Sequence, residues 1–246
     1  MRLFDRILIF SDIHANLTAL QKVLCDAKHF YPDAVILMGD IINYGMRPNE
    51  VIKVLQEMPY PVIANIYGNH EKAIMDGDTS HFSTDRGKIL LKYSKDLLDE
   101  NSWRYIKENM NSKAYQELSI GGKKILIMHG NLDDYYWGKF DYTKIADERF
   151  KDYDYVITGH SHQPHVIPHY FTVDNPMMRN KKKVVFINPG SIGQPRNLNP
   201  CAQYALLYLN TGQIQLMATP YDVKAEQSLY PDFLDLFYRD RLALGI

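Results

Sequence analysis

"RILIFSDIHANLTALQKVLCDAKHF", Arg6 to Phe30, sets the fold class. "RILIF" is a short apolar run that reads as a buried strand. Beyond it the period changes: Leu17, Leu20, Val23, Leu24 and Ala27 recur at helical spacing, and Asn16 stands where an N-cap accepts free backbone N–H groups. The same alternation follows. "DAVILMGD" (33–40) reads as a strand, "RPNEVIKVLQEM" (47–58) as a helix opened by Pro48, and "PVIANIYGNHE" (61–71) as a third strand. Strand-helix-strand-helix-strand implies a parallel sheet with right-handed crossovers.

Residues 84–109 read as a helix pair, and a second half follows. Its strands are "YQELSI" (115–120), "KKILIMHG" (123–130), "YDYVITGHS" (153–161) and "KKVVFINPGS" (182–191), with a helix expected over Thr143–Phe150. "CAQYALLYLN" (201–210) and "QIQLMATPY" (213–221) read as a hairpin across Thr211 and Gly212. The mostly short connections here imply partly antiparallel pairing. "YPDFLDLFYRDRLALGI" (230–246) reads as a closing amphipathic helix. The expectation is a single α/β domain over 1–246: two packed mixed β-sheets flanked by helices.

Composition narrows the function classes. Lys plus Arg (28) nearly balances Asp plus Glu (29), which gives no footing for a polyanion-coating protein or a polybasic membrane anchor. Cys25 and Cys201 have no zinc-knuckle or disulfide spacing. "MRLFDRILIF" carries too short an apolar run, and no small-residue cleavage site, for a signal peptide. The expectation is a cytoplasmic protein with no membrane and no obligate nucleic-acid partner.

The chemistry-bearing residues sit where strands end. Asp12 and His14 follow "ILIF", Asp40 follows "VILMG", Asn69 and His70 follow "ANIYG", His129 follows "ILIM", and His160 and His162 follow "VITG". One such residue is ordinarily a cap or turn residue. Five strands ending alike place the group at the carboxyl edge of a sheet, where α/β folds bind ligands. In "VITGHSHQPH" (156–165), an extended backbone would aim His160 and His162 to the same side. The competing reading of that decapeptide is a polar turn whose histidines face water.

"SDIH", "GD", "GNHE", "HG" and "GHSH", in this order, with 28 positions from Asp12 to Asp40 and 29 from Asp40 to Asn69, resemble the signature of the calcineurin-like metallophosphoesterases. All five blocks are matched between Ser11 and about Arg196, and "INPGSIGQPRN" resembles the compact bacterial and archaeal branch, where small phosphodiesterases and diadenosine tetraphosphatase-like proteins are found. The resemblance implies two divalent ions, with Asp12, His14 and His162 on one, Asn69, His129 and His160 on the other, and Asp40 bridging. Manganese or iron comes first, with zinc or cobalt also compatible with imidazole and carboxylate donors. Such a pair activates water as a nucleophile at neutral pH and clamps a phosphate in line with it. The resemblance also gives His70 the role of protonating the leaving oxygen or steadying transition-state charge; the bland reading is a helix cap. Glu71 reads as a supporting residue.

One block departs from the protein phosphatase branch. Where that branch continues as "GD.VDRG", this chain has "GDIINYG", with Asn43 and Tyr44 in place of the Asp and Arg that serve the catalytic His and the phosphate. The departure favours a small phosphodiester or phosphoanhydride substrate with a flat group to stack, diadenosine tetraphosphate among the candidates. A protein serine/threonine phosphatase is the runner-up, and a catalytically inactive scaffold the alternative of a different class. Asn43, Tyr44 and Arg196 are the candidate substrate contacts. "NPGSIGQPR" (188–196) reads either as an anion-binding turn using the N–H groups of Gly190, Ser191 and Gly193 or as a structural turn. Tyr135, Tyr136 and Trp137 read as core packing or as a stacking surface for a base. His165 and His169 read as surface or supporting groups, and His29 and His81 as unrelated.

Overall fold

The computed structural model describes residues 4–246. The first half runs β1 (Arg6–Phe10), α1 (Leu17–Ala27), β2 (Ala34–Leu37), α2 (Pro48–Glu57), β3 (Val62–Asn65), α3 (Asn69–Asp76), α4 (Asp85–Leu97) and α5 (Glu100–Asn109). The second half runs β4 (Tyr115–Ile120), β5 (Lys123–Met128), β6 (Tyr155–Thr158), β7 (His165–Thr172), β8 (Lys181–Asn188), β9 (Ala202–Tyr208), β10 (Gln213–Thr219), α6 (Val223–Gln227) and α7 (Phe237–Leu244). Two five-stranded sheets result, in the orders β10-β9-β1-β2-β3 and β4-β5-β6-β8-β7. β1, β2 and β3 are mutually parallel, as are β5, β6 and β8; β9 runs antiparallel to β1. The architecture is the expected pair of mixed sheets.

Alternation along the strands explains the layers. Ile7 and Ile9 of β1 face the other sheet, where Ile125, Ile127, Ile157 and Ile187 meet them in one buried cluster. Leu8 and Phe10 point the other way, into the layer of Leu20, Val23, Ile52, Leu55 and Ile106 from the helices. Each such side chain contributes roughly 1.5–3 kcal/mol by leaving water. Strands with both faces covered become unbroken apolar runs, which is why the parallel ones were readable. α1 begins where expected: the Asn16 side chain accepts from Ala19 N–H at 3.0 Å.

Three local expectations fail, and one strand lies where none is expected. "GNHE" does not extend β3, because the chain turns at Gly68 and α3 starts at Asn69. Thr143–Phe150 is no helix but two 3-10 turns, Tyr142–Lys144 and Glu148–Phe150. The Asp141 and Asp147 side chains accept N–H groups two residues on and cap the start of each turn, so the segment breaks into two short pieces instead of one helix. The closing helix covers only Phe237–Leu244; Pro231 lies in irregular chain, and Asp235 caps the N–H of Phe237 at 2.8 Å. β7 was not anticipated. It is an edge strand carrying Pro168, half exposed by alternation, and both features hide a strand from sequence patterning.

Candidate active site

The loops after β1 and β2 are laced together before any side chain contributes. Asp12 N–H donates to Gly39 O at 3.1 Å, His14 N–H to Asp40 O at 2.9 Å, and Ala15 N–H to Ile41 O at 2.9 Å. Buried Glu71 fastens the second loop: its carboxylate accepts from the N–H groups of Asp40, Ile41 and Gly68, each at 2.8 Å, and of Ile42 at 3.3 Å. This lacing holds an unusual backbone. Asp12, His14, Asp40, Asn43, Tyr44, His160 and His162 all adopt positive φ, between 48° and 67°. The left-handed region costs an L-residue roughly 1–2 kcal/mol, so it persists only where surrounding bonds enforce it.

That conformation corrects the expectation for "GHSH". β6 ends at Thr158, neither histidine lies in extended chain, and the two rings part company. His162 joins Asp12, His14 and Asp40 in one group, while His160 joins Asp40 and His129 in a second. His162 Nε2 lies 3.1 Å from Asp12 Oδ1 and 3.2 Å from His14 Nε2. Across the site, His129 Nε2 lies 3.2 Å from Asp40 Oδ2 and 3.1 Å from Asn69 Oδ1, and His160 Nδ1 lies 2.9 Å from the same amide oxygen. The seven expected ligands thus form two groups that share Asp40, whose Oδ2 lies 3.2 Å from His129 Nε2 and 3.9 Å from His14 Nε2 while its Oδ1 accepts from His70 N–H at 2.9 Å.

Whether they suit cations can be judged from their protons. The Nδ1–H of His14 donates to Ile42 O at 3.2 Å, that of His129 to Met38 O at 2.7 Å, and that of His162 to Gln194 O at 2.5 Å. Backbone carbonyls therefore fix one tautomer and turn three Nε2 atoms inward. Burial, then the neighbouring histidine, pushes His14 well below the usual imidazole range, and burial with the Arg196 charge lowers His162. Their two lone pairs then face each other at 3.2 Å beside Asp12 Oδ1, a buried oxygen with no hydrogen-bond partner. A divalent cation resolves both conflicts, and the donor set suits it. In the second group a proton occupies that role: against burial, the Asp40 carboxylate raises His129 to about 9.

α3 positions His70. A helix turns successive side chains by about 100°, so Asn69 reaches His129 while the His70 ring lies against Asn43. The Asn43 Oδ1 accepts from Tyr44 N–H at 2.8 Å, which leaves its amide N–H to donate to His70 Nδ1 at 2.6 Å. His70 therefore turns Nε2–H toward Asp40 Oδ2, 3.8 Å away. Burial lowers its pKa to about 4.

The other sequence candidates divide. Tyr44 is buried, with ring centroids 4.6 Å from both His14 and His70, and Tyr238 stacks on it at 4.8 Å and 21°. With that face covered, Tyr44 cannot be the stacking platform the sequence suggested. The anion-binding turn is also corrected. Gly190 N–H donates to Asn188 Oδ1 at 2.9 Å, within the loop, and Gly193 N–H to Asp12 O at 3.0 Å, which fastens the loop to Asp12, so both donors are spent and the structural-turn reading holds for them. Arg196 does line the site. Of the three adjacent rings, Tyr135 stacks on Tyr115 at 4.4 Å and Tyr136 donates its hydroxyl to Ser112 O, whereas Trp137 reaches the site.

Above the ligands lies a cavity of about 580 Å³, floored by Asp40, Asn69, His70, His160 and His162. Its walls include residues the sequence left aside. His81 stacks on Trp137 at 4.7 Å and 13°, and His165 stacks on Phe140 at 4.9 Å and 26°. Both pairs join segments distant in sequence. Only "DDYYWGKF" and the tail of "VITGHSHQPH" pointed to any of them.

Residues 6–212 match the calcineurin-like phosphoesterase superfamily domain. The chain is 27% identical over 243 residues to an uncharacterised protein of Methanocaldococcus jannaschii, covering 97% of this chain and 98% of that one. It is 21% identical over 210 residues to the phosphodiesterase YfcE of Escherichia coli K12, covering 82% and 86%. Among solved structures, a metallophosphoesterase from Sphaerobacter thermophilus superposes with a TM-score of 0.74 at 24% identity, over 99% of this chain and 100% of that one.

Proposed function

The chain belongs to the calcineurin-like phosphoesterase superfamily, a metal-dependent phosphoester hydrolase by membership, and on that premise we propose that it uses two divalent ions to hydrolyse small phosphodiesters or phosphoanhydrides, nucleotides among them. One observation carries the reading: two groups of metal-competent side chains share Asp40 at the floor of a cavity of about 580 Å³. Asp12, His14 and His162 would hold one ion, Asn69, His129 and His160 the other, and Asp40 both. Bound ions supply Lewis-acid activation of water and neutralise phosphate charge, and manganese or iron suits these donors first.

The chain's own residues do the rest. His70, held by Asn43 with Nε2–H inward, donates to the oxygen that leaves or to the charge that builds on the phosphoryl oxygens. Arg196 orients a phosphate oxygen. Trp137 and His81 bound the space where an organic group sits. Diester cleavage is also the activity in the name of the E. coli relative. Asn43 and Tyr44, standing in place of the Asp that pairs with the catalytic His and of a phosphate-binding Arg, count against phosphoprotein hydrolysis. No helix among the described residues is long and apolar enough to cross a membrane, and Cys25 and Cys201 are both free thiols. The free thiols suit a reducing, cytoplasmic setting.

The test is a panel of bis(p-nitrophenyl) phosphate, p-nitrophenyl phosphate, diadenosine tetraphosphate and a phosphoserine peptide, each with added manganese. Diester or anhydride turnover should exceed peptide turnover. A preference for the peptide over every other substrate overturns the reading.

A further inference from the structure

Two strained loops enter the floor of the site, and each runs straight into a helix. The loop after β1 has positive φ at Asp12, His14 and Ala15 and opens α1; the loop after β2 has it at Asp40, Asn43 and Tyr44 and opens α2. At their strand ends the sheet and the backbone bonds between the loops hold them. At their helix ends the hold comes from much later in the chain. Glu226 of α6, beyond the last residue of the family match, is buried and pairs through Oε2 with the guanidinium of Arg47, the N-cap residue of α2. The same oxygen accepts from Thr18 N–H, in the first turn of α1, at 3.4 Å. Arg47 in turn donates from Nη2 to Thr18 Oγ1 at 2.6 Å and from its backbone N–H to Ala15 O at 3.3 Å. One carboxylate thus pins the starts of both helices together.

Stability alone does not account for this ion pair. Glu226 Oε1 and Arg47 Nε are both buried without a hydrogen-bond partner. Taking charges out of water is costly, an incomplete set of contacts repays it poorly, and an apolar pair of similar size commonly serves a fold as well. What a charge pair adds is a fixed separation and direction between the elements it joins.

The element fixed here bears on the chemistry. Arg47 stands four residues after Asn43, whose amide donates to His70 Nδ1 at 2.6 Å. Between them Gly45 N–H donates to His14 O at 3.0 Å, and a Cβ on Gly45 would collide with that same oxygen. The stretch from Asn43 to Arg47 therefore lies against the first loop without slack, and a shift at Arg47 is passed on to Asn43.

We propose that Glu226 is a positioning residue for His70: through Arg47 it holds the loop that sets the Asn43 amide, and with it the direction of His70 Nε2–H. The proposal rests on the phosphoesterase reading and adds to it a residue that lines no part of the catalytic cavity.

The test is a double-mutant cycle with diphenyl phosphate, a diester with a poor leaving group, and excess manganese. Glu226→Gln keeps the side-chain shape and removes the charge; it should lower kcat about tenfold, the scale of a misdirected catalytic group, with KM and metal content unchanged. In the His70→Ala background the same substitution should cost less than about twofold, because there is no imidazole left to direct. Equal losses in the two backgrounds, an unchanged kcat, or loss of metal each overturns the proposal. Should Glu226→Gln not fold, Arg47→Met/Glu226→Leu, which replaces both charges by apolar groups, takes its place in the cycle. Failure of both to fold makes the pair a requirement of the fold and overturns the proposal. If wild type hydrolyses no phosphate ester, the phosphoesterase reading has failed, and nitrogen-15 NMR of the His70 ring judges the positioning alone. A single Nε2–H tautomer in wild type should then give way to a mixture in Glu226→Gln, and one tautomer in both overturns the proposal.

Discussion

The floor of the cavity and its walls are built on opposite principles. On the floor, Asp12, His14, Asp40, His129 and His162 are almost wholly buried, and backbone carbonyls fix three of the imidazoles. The walls rest on ring contacts between loops, as in His81 on Trp137 and His165 on Phe140, and His81 is exposed. Hydrogen bonds to backbone fix a side chain to tenths of an ångström, whereas stacked rings slide at little cost. On the proposed function, chemistry falls to the rigid part and choice of substrate to the adaptable one.

That division can be broken by experiment. The largest effect is expected at Asp40, which serves both ligand groups: in Asp40→Asn, metal content should fall from about two ions per chain to less than one and activity should vanish. Elemental analysis of reconstituted protein checks this, and an active variant with two ions would sink the shared-ligand arrangement. His70→Ala should keep its metals and lose roughly 10²- to 10⁴-fold in kcat. An unchanged rate on a substrate with a poor leaving group would remove His70 from the chemistry.

The metal-free floor should also mark the pH dependence of stability. Burial holds His70 at about 4 and His160 at about 3, so below pH 6.5 the unfolded chain binds protons that the folded chain refuses, and stability falls with falling pH. His129, raised to about 9, works the other way: its stabilisation is complete below pH 6.5 and is lost as pH rises through 9. With chelator present, urea unfolding should therefore show a maximum near pH 6.5, with a slope of about 1.4 kcal/mol per pH unit for each histidine titrating. A stability rising steadily from pH 6.5 to 8.5 would contradict the assignment of His129. The smallest effect belongs to the walls. Trp137→Ala should raise KM for nucleotide substrates about threefold to tenfold, the worth of one aromatic stack, with kcat and metal content intact. An equal loss in kcat would make Trp137 part of the floor.

The same contrast explains what could be read in advance. Each ligand, Asn69 included, follows an apolar strand within a few residues, and short-range pattern reveals such positions. Asn69 and His70 were found as residues but misplaced on a strand, because the helix begins at the residue after Gly68 with no side-chain cap to announce it. His81, Phe140, His165 and Tyr238 become neighbours of the site only through tertiary packing, which leaves no local period to detect. Tyr44 lines the cavity, but the ring that covers its stacking face comes from α7, nearly two hundred residues later in the chain, and no local pattern shows it.

The strand order of the first sheet also bears on how the protein is born. β1 lies between β2 and β9, and Ser191 donates its hydroxyl to Asp12 O at 2.7 Å. On the ribosome, the early strands emerge while β1 still has an open edge, and Asp12 and His14 wait for His162, the Gln194 carbonyl and the strand at 202–208. A nascent chain cannot hold the ion that Asp12, His14 and His162 would share. Metal loading is then a step that follows synthesis of the second half, and the unpaired edge of β1 is where the growing chain most needs protection from aggregation.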